Sequence, residues 1–199
     1  MVSQIGHTLK QVGFANLLWN KVEVLWYLYF TVLMRETERP RVDAIYRSHD
    51  TGNKKRALIL TVAEQVLKSN VPGLAEVREA IRRTNEAART RNALMHADFH
   101  LVMDGGTVNV AVSRGGDHSK PNSLGGVELD RALSEFIGTL KVLVAEVEHL
   151  LPPQPPMPPG VPGMLTSVGW VTLLEQAIAS EGGEPLDCPA GMYSPNGSG

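Results

Sequence analysis

A run of prolines, LPPQPPMPPGVPG at residues 151–163, places the strongest limit on how this chain of 199 residues folds. Because proline lacks a backbone N–H and fixes φ, neither a helix nor a central strand continues through such a segment. The run is typical of an extended polyproline II linker. It therefore predicts a folded domain over 1–151, a proline-rich linker over 152–163, and a tail over 164–199 that is mostly disordered, with one short helix at 165–179.

Within the folded domain, apolar residues recur with the period of an α-helix. The second half of the first helix, VLWYLYFTVLM, is apolar all round and should be buried on most sides. The period changes where HLVM and TVNVAV flank Asp104-Gly105-Gly106, a pattern typical of a β-hairpin. We therefore predict an all-α protein, an up-and-down bundle of four to five helices with a short β-hairpin inserted before the last helix. The predicted helices cover residues 4–34, 40–49, 54–69, 74–96 and 127–151.

The composition indicates a soluble, cytoplasmic protein. An apolar share of 43% is enough for a hydrophobic core, and the formal net charge is only -2. The single cysteine, Cys188, excludes an intramolecular disulfide and a cysteine-cluster metal site. The most apolar stretch, 24–34, is far shorter than the roughly 20 residues that a membrane helix requires. The first residues lack the layout of a secretion signal, so we expect no membrane association.

The segment ARTRNALMHADF, residues 88–99, carries the most specific motif: Arg91, the adjacent Asn92, and His96. This Arg-Asn-x-x-x-His pattern, late in a helix of a small all-α chain, resembles the HEPN superfamily, and as architecture the resemblance covers residues 5–150. Members are helical bundles, often dimeric. Many are metal-independent endoribonucleases of toxin–antitoxin and antiviral defence systems. The resemblance implies that Arg91, Asn92 and His96 are catalytic, that RNA is the substrate, that the chain forms a homodimer, and that a cognate antitoxin or regulatory protein binds it.

The residue types suit cleavage of RNA by its own 2′-hydroxyl, a reaction that needs a base, an acid and a cation for the phosphorane oxygens. A histidine such as His96 transfers protons near neutral pH. The guanidinium of Arg91 stays charged and matches the geometry of phosphate, while Asn92 orients its neighbours without titrating. The reaction requires no cofactor. No metal site is predicted either, because His96 and His100 lack a third ligand.

A basic stripe precedes the motif on the same helix. Arg78, Arg82 and Arg89 recur at helical spacing in line with His96, which makes them candidate RNA-binding residues. The alternative is an ordinary solvated face. At roughly 100° per residue, Arg91 and His96 point roughly 140° apart on a straight helix. Either the helix is irregular near residue 91, or a second subunit completes the site, as the two-fold pairing of motifs in the HEPN superfamily implies.

The residues also support a second function. Some HEPN proteins have lost catalysis and serve as dimerisation, partner-binding or nucleotide-binding modules. Ala97-Asp98, where similar motifs often have glycine directly after the histidine, favours this alternative. Two other interpretations of the motif would also fit a non-catalytic function. In one, Arg91 is structural and pairs with a buried carboxylate. In the other, His96 simply ends its helix. The run Lys54-Lys55-Arg56 is interpreted as a surface cluster at a helix start.

Overall fold

The structure, a computed structural model, describes residues 2–35, 38–95, 97–104, 107–114 and 126–152. Close contacts divide the chain into two units, Met1–Leu151 and Pro152–Gly199. The predicted linker beyond Pro152 and the predicted tail, with its short helix, lie outside the described residues. The backbone alone is described at residues 2–5, 95, 97–104, 107–114 and 126–128.

Helices dominate the described part of the chain, so the predicted all-α class is confirmed. Before the last helix, two strands pair antiparallel, from Ala97 opposite Arg114 to Asp104 opposite Thr107. Gly105 and Gly106, in the predicted turn, lie outside the described residues. The elements are α1 (Val2–Met34), α2 (Arg39–Arg47), α3 (Gly52–Val66), α4 (Val71–Met95), β1 (Ala97–Asp104), β2 (Thr107–Arg114) and α5 (Gly126–His149).

Two short polar side chains set where α3 and α4 begin. The Oγ1 of Thr51 accepts a hydrogen bond from the backbone N–H of Lys54 at 3.4 Å. The Oδ1 of Asn70 accepts one from the backbone N–H of Gly73 at 3.2 Å. Each bond satisfies an N–H that the first helical turn leaves without a partner. Because Asn70 caps α4, this helix begins before the predicted start at 74, and Pro72 lies in its first turn, where proline is tolerated.

The helices α1 and α5 run parallel through the centre of the core. Thr8 Oγ1 donates to Asp130 Oδ1 at 3.0 Å, and Gln11 Nε2 donates to Ser134 Oγ at 3.1 Å, so their N-terminal halves lie side by side. Their apolar faces exclude water between them, which is the main stabilising contribution to such a bundle. The side chains of these two helices that are 0% exposed are Ala15, Leu18, Val22, Trp26, Phe30, Leu129, Leu133, Leu140, Leu143 and Val147.

The candidate motif lies on α4, which runs antiparallel to α5. Arg83 of α4 forms an ion pair with Glu146, while Thr90, further along α4, lies across from Ala132, near the start of α5. A hydrogen bond joins α4 to α1, because the indole Nε1 of Trp26 donates to Thr84 Oγ1 at 3.1 Å. Along α4, the side chains that recur at helical spacing on the core side are buried: Val77, Ile81, Thr84 and Ala88.

A buried guanidinium, that of Arg56, joins α1, α3 and α4. The residue is 2% exposed. Its Nη1 donates to Glu23 Oε1 of α1 at 2.8 Å, and its Nε donates to Asn85 Oδ1 of α4 at 2.7 Å. Its Nη2 donates to Asn53 Oδ1 within α3 at 2.8 Å. A charge can remain buried only when it is paired and hydrogen-bonded, and each of the three nitrogen atoms of this guanidinium has a partner.

One expectation about burial is wrong. Arg56 belongs to the core rather than to a surface cluster, because its position on α3 faces Glu23 and Asn85. The error arises because composition and period do not specify which faces of a helix have neighbours. The second half of α1 is buried on most sides, as expected, and only Val24 and Val32 are exposed there. No described helix is long and apolar enough to cross a membrane.

Replacing Arg56 with Met should lower the free energy of unfolding by about 2–4 kcal/mol, because Glu23 would lose its ion pair and Asn85 its donor. Urea denaturation would measure the loss. The matched control is Arg78→Met, which breaks an exposed ion pair with Glu64 and should cost less than about 1 kcal/mol. Equal losses in the two variants would contradict a structural role for the buried guanidinium.

Candidate functional site

The last turns of α4 bring Arg91 and Asn92 together. Arg91 is half-buried because it lies beside the buried face that contains Thr84 and Ala88, whereas Asn92 is exposed. The Nη1 of Arg91 donates to the Asn92 side-chain Oδ1 at 3.2 Å. The bond restrains one end of the guanidinium at the edge of the bundle. Two of the three predicted catalytic residues therefore form one small polar cluster.

The Nε of Arg91 is buried and has no hydrogen-bond partner in the part of the chain that the structure describes. Nor does any described carboxylate form an ion pair with Arg91, unlike the buried and fully bonded Arg56. A buried donor without a partner costs about 1–3 kcal/mol. Such a donor is uncommon in a folded protein, and a bound ligand is one group that can satisfy it.

His96, the third predicted catalytic residue, lies outside the described residues. The α-helix continues without interruption through Arg91 and Asn92 to Met95, and β1 begins at Ala97. The helix is therefore not irregular near residue 91, which was one of the two explanations for how Arg91 and His96 could act together.

The basic stripe is largely balanced by glutamates. Arg78 Nη2 lies 2.8 Å from Glu64 Oε1. Arg82 Nη2 lies 2.6 Å from Glu79 Oε1, and Arg82 Nη1 lies 2.5 Å from Glu86 Oε1.

These contacts also shift the pKa values of Arg82 and Glu79. The hydrogen bonds to Glu79 raise the pKa of Arg82 above its ordinary value, and the same contact lowers the pKa of Glu79. Arg89 is exposed, and none of its contacts with the described residues is an ion pair. Of the three predicted RNA-binding arginines, Arg89 thus offers the most accessible charge.

Asn85 lies on the same stripe as these arginines, but its side chain has a structural role. Its Oδ1 accepts the hydrogen bond from Arg56, and the residue is half-buried against α3. Asn85 therefore separates Arg82 from Arg89 along this face. The arrangement resembles a solvated, salt-bridged surface more closely than a continuous positive track.

A groove between α4 and α5 was not predicted from the sequence. It contains a cavity of about 390 Å³ at the end where Ala75 and Ala80 face Leu150. A second cavity of about 440 Å³ lies where Ala87 and Thr90 face Ala132. The signal in the sequence is the recurrence of alanine on the side of α4 that faces α5, because small side chains leave space between two helices.

Beside the first cavity, Tyr29 of α1 lies near the carboxylate of Glu76. Burial raises the pKa of Tyr29 to about 12, and the negative charge of Glu76 adds to the rise. Among the described residues, no group of three His, Cys, Asp or Glu side chains is arranged to hold a metal ion. Comparison of the chain with protein-family models, curated proteins and solved structures gives no match.

Replacing Arg91 with Met should leave the free energy of unfolding unchanged or raise it by up to about 2 kcal/mol, because the variant removes a buried donor that no described residue satisfies. Urea denaturation of the two proteins would measure the difference. A second variant, Arg91→Leu, has a shorter side chain and tests whether the result depends on the shape of methionine. A loss of more than about 2 kcal/mol in both variants would show that Arg91 stabilises the fold.

Proposed function

We propose that this protein is a metal-independent endoribonuclease that acts as a homodimer, with Arg91, Asn92 and His96 at its active site. The observation that carries the proposal is the Nε of Arg91, which is buried and has no hydrogen-bond partner among the described residues. Three further features agree with the resemblance to the HEPN superfamily. They are the Arg-Asn-x-x-x-His motif, its position late in a helix of an all-α chain, and the presence of β1 and β2 before the last helix.

In the proposed reaction, the 2′-oxygen of a ribose attacks the adjacent phosphorus, and the bond from phosphorus to the 5′-oxygen breaks. One base removes the proton of the 2′-hydroxyl, and one acid gives a proton to the leaving 5′-oxygen. His96 supplies proton transfer near neutral pH. Arg91, through its Nε and its remaining N–H groups, binds the phosphorane oxygens. Asn92 restrains Arg91 through the bond to its Nη1.

We infer a dimer from the spacing of the motif. On a straight helix, positions five residues apart point roughly 140° away from each other, so one helix would not direct residues 91 and 96 at the same phosphate. Two antiparallel copies of α4 around a two-fold axis would bring Arg91 of one subunit towards His96 of the other. The exposed apolar side chains Leu9, Leu17 and Val24 on α1 offer further surface that a second subunit could cover.

The biological role that we propose is that of a toxin or antiviral defence effector, restrained by a cognate antitoxin or regulatory protein. It rests on the resemblance alone. A cytoplasmic location fits this role, because the substrate would be cellular RNA.

A non-catalytic binding module is the second candidate function. The balance of charge on α4 favours it, because Arg78 and Arg82 already bind glutamates and are less available to a phosphate backbone. In that case the chain would dimerise or bind a nucleotide or a partner through the same helical unit, without cleaving RNA.

Purified protein should cleave total RNA in the presence of EDTA and leave 2′,3′-cyclic phosphate ends. His96→Ala should reduce the rate by about 10²–10⁴-fold, the loss typical of a general acid–base residue. Arg91→Lys should also reduce it severely, because a point charge cannot replace the planar fork. The matched control is His7→Ala, which removes an exposed histidine of α1 and should leave the rate unchanged. Full activity in His96→Ala would contradict the catalytic assignment and leave the binding module.

Mixing the two inactive variants tests whether the site is shared between subunits. A heterodimer of Arg91→Lys and His96→Ala subunits retains one intact Arg91 opposite one intact His96. If subunits exchange freely, half of the dimers are mixed and half of their sites are intact, so about a quarter of the wild-type rate should return. No recovery after exchange would show that each site uses the residues of one subunit.

A further inference from the structure

We propose that the first cavity of the α4–α5 groove, the one between Ala75, Ala80 and Leu150, binds a basic amphipathic helix of a partner protein. This inference goes beyond the proposed nuclease function and does not depend on it. Ala80 and Arg91 are separated by about three turns of α4, so the two sites are distinct.

The shape of the groove favours a helical occupant. The first cavity follows α4 from Ala75 to Ala80, about 8 Å along the helix axis, and the ion pair between Arg83 and Glu146 separates it from the second cavity. Two antiparallel helices with small side chains between them leave a depression into which apolar side chains of a third helix pack. The first cavity, about 390 Å³, is within the usual size of a ligand pocket, about 300–1,000 Å³. An apolar side chain of the partner would fill it.

The charge of the rim favours a basic occupant. Glu76, Glu79 and Glu146 border the first cavity, and its floor is formed by alanine and leucine side chains. Arg82 forms an ion pair with Glu79, and Arg83 forms one with Glu146. Neither arginine is part of the floor of the cavity, and the two only partly neutralise the glutamates of the rim. A partner with lysine or arginine on both sides of an apolar stripe would match this pattern, as amphipathic helices do in other grooves.

Two carboxylates of the rim retain capacity to bind such cations. One oxygen of Glu146, Oε1, accepts the hydrogen bond from Arg83, whereas Oε2 is buried and has no partner among the described residues. Glu76 is exposed, and its charge already acts on Tyr29, which lies beside it. A buried acceptor without a partner is costly, so a donor from the occupant would remove this cost.

The probe is a fluorescent synthetic peptide of about four helical turns, with leucine along one face and lysine on both flanks. Binding is followed by fluorescence anisotropy at low salt and about pH 8. We expect a dissociation constant below about 100 μM, and weaker binding as salt is added. Two control peptides carry glutamate in place of lysine, or the same residues in an order without an apolar face, and both should bind at least about tenfold more weakly.

Variants of the groove locate the binding. Ala75→Trp fills the cavity from an exposed position and should weaken binding at least about tenfold, and Glu76→Gln should weaken it about three- to tenfold. The matched control, Glu64→Gln, neutralises an ion-paired glutamate of α3 outside the groove and should have no effect. Circular dichroism would show that the variants are folded. Amide NMR signals from residues around Ala75, Ala80 and Leu150 should shift on addition of the peptide.

Several results would overturn the proposal. They are an absence of binding, equal binding of the basic and acidic peptides, and wild-type affinity in Ala75→Trp and Glu76→Gln. Amide shifts confined to the exposed face of α1, around Leu17, would show that the peptide binds elsewhere. Shifts of the groove signals when the protein is concentrated without peptide would show that a second copy of the chain occupies the groove.

Discussion

The bundle depends on one buried charge. Arg56 of α3 donates hydrogen bonds to Glu23 of α1 and to Asn85 of α4, so three helices meet at a single guanidinium. Space for it is kept by Gly52, where an added Cβ would lie 2.9 Å from the Arg56 Nη1. Because a buried charge with a missing partner is strongly unfavourable, this network disfavours arrangements in which one of the three helices is shifted along its axis.

The register of the helices determines which side chains of α4 face the core and which face α5. With Asn85 turned to α3 and Thr84 bonded to Trp26 of α1, the face of α4 that contains Arg91 points into the edge of the core. Arg91 therefore reaches a partly buried position in which Nε has no partner among the described residues. The alanine-rich side of α4 faces α5, and the groove lies between these two helices. One placement of α4 thus accounts for both the candidate active site and the proposed docking site.

The helices could be predicted because their apolar period is long and because Pro40 and the proline-rich run mark where α2 begins and where α5 ends. The predicted start of α4 is too late, because the capping role of Asn70 shows only in the structure. The proximity of Arg91 and Asn92 is a consequence of their adjacent positions. The burial of Arg56 could not be predicted, since its partner Glu23 is 33 residues away in sequence. The groove also depends on tertiary packing, because alanine leaves space only where a second helix lies opposite.

The most direct test of the account is whether the guanidinium of Arg91, whose Nε has no partner within the described part of the chain, binds phosphate. Arginine side-chain Nε–H signals can be followed by NMR while a 2′-O-methyl RNA, which cannot be cleaved through its 2′-oxygen, is added. The account predicts that the Arg91 signal shifts and saturates, because a charge-assisted hydrogen bond forms to a phosphate oxygen. The Arg56 signal should remain unchanged, because its Nε is bonded to Asn85. An Arg91 signal that does not move at saturating RNA would contradict the account.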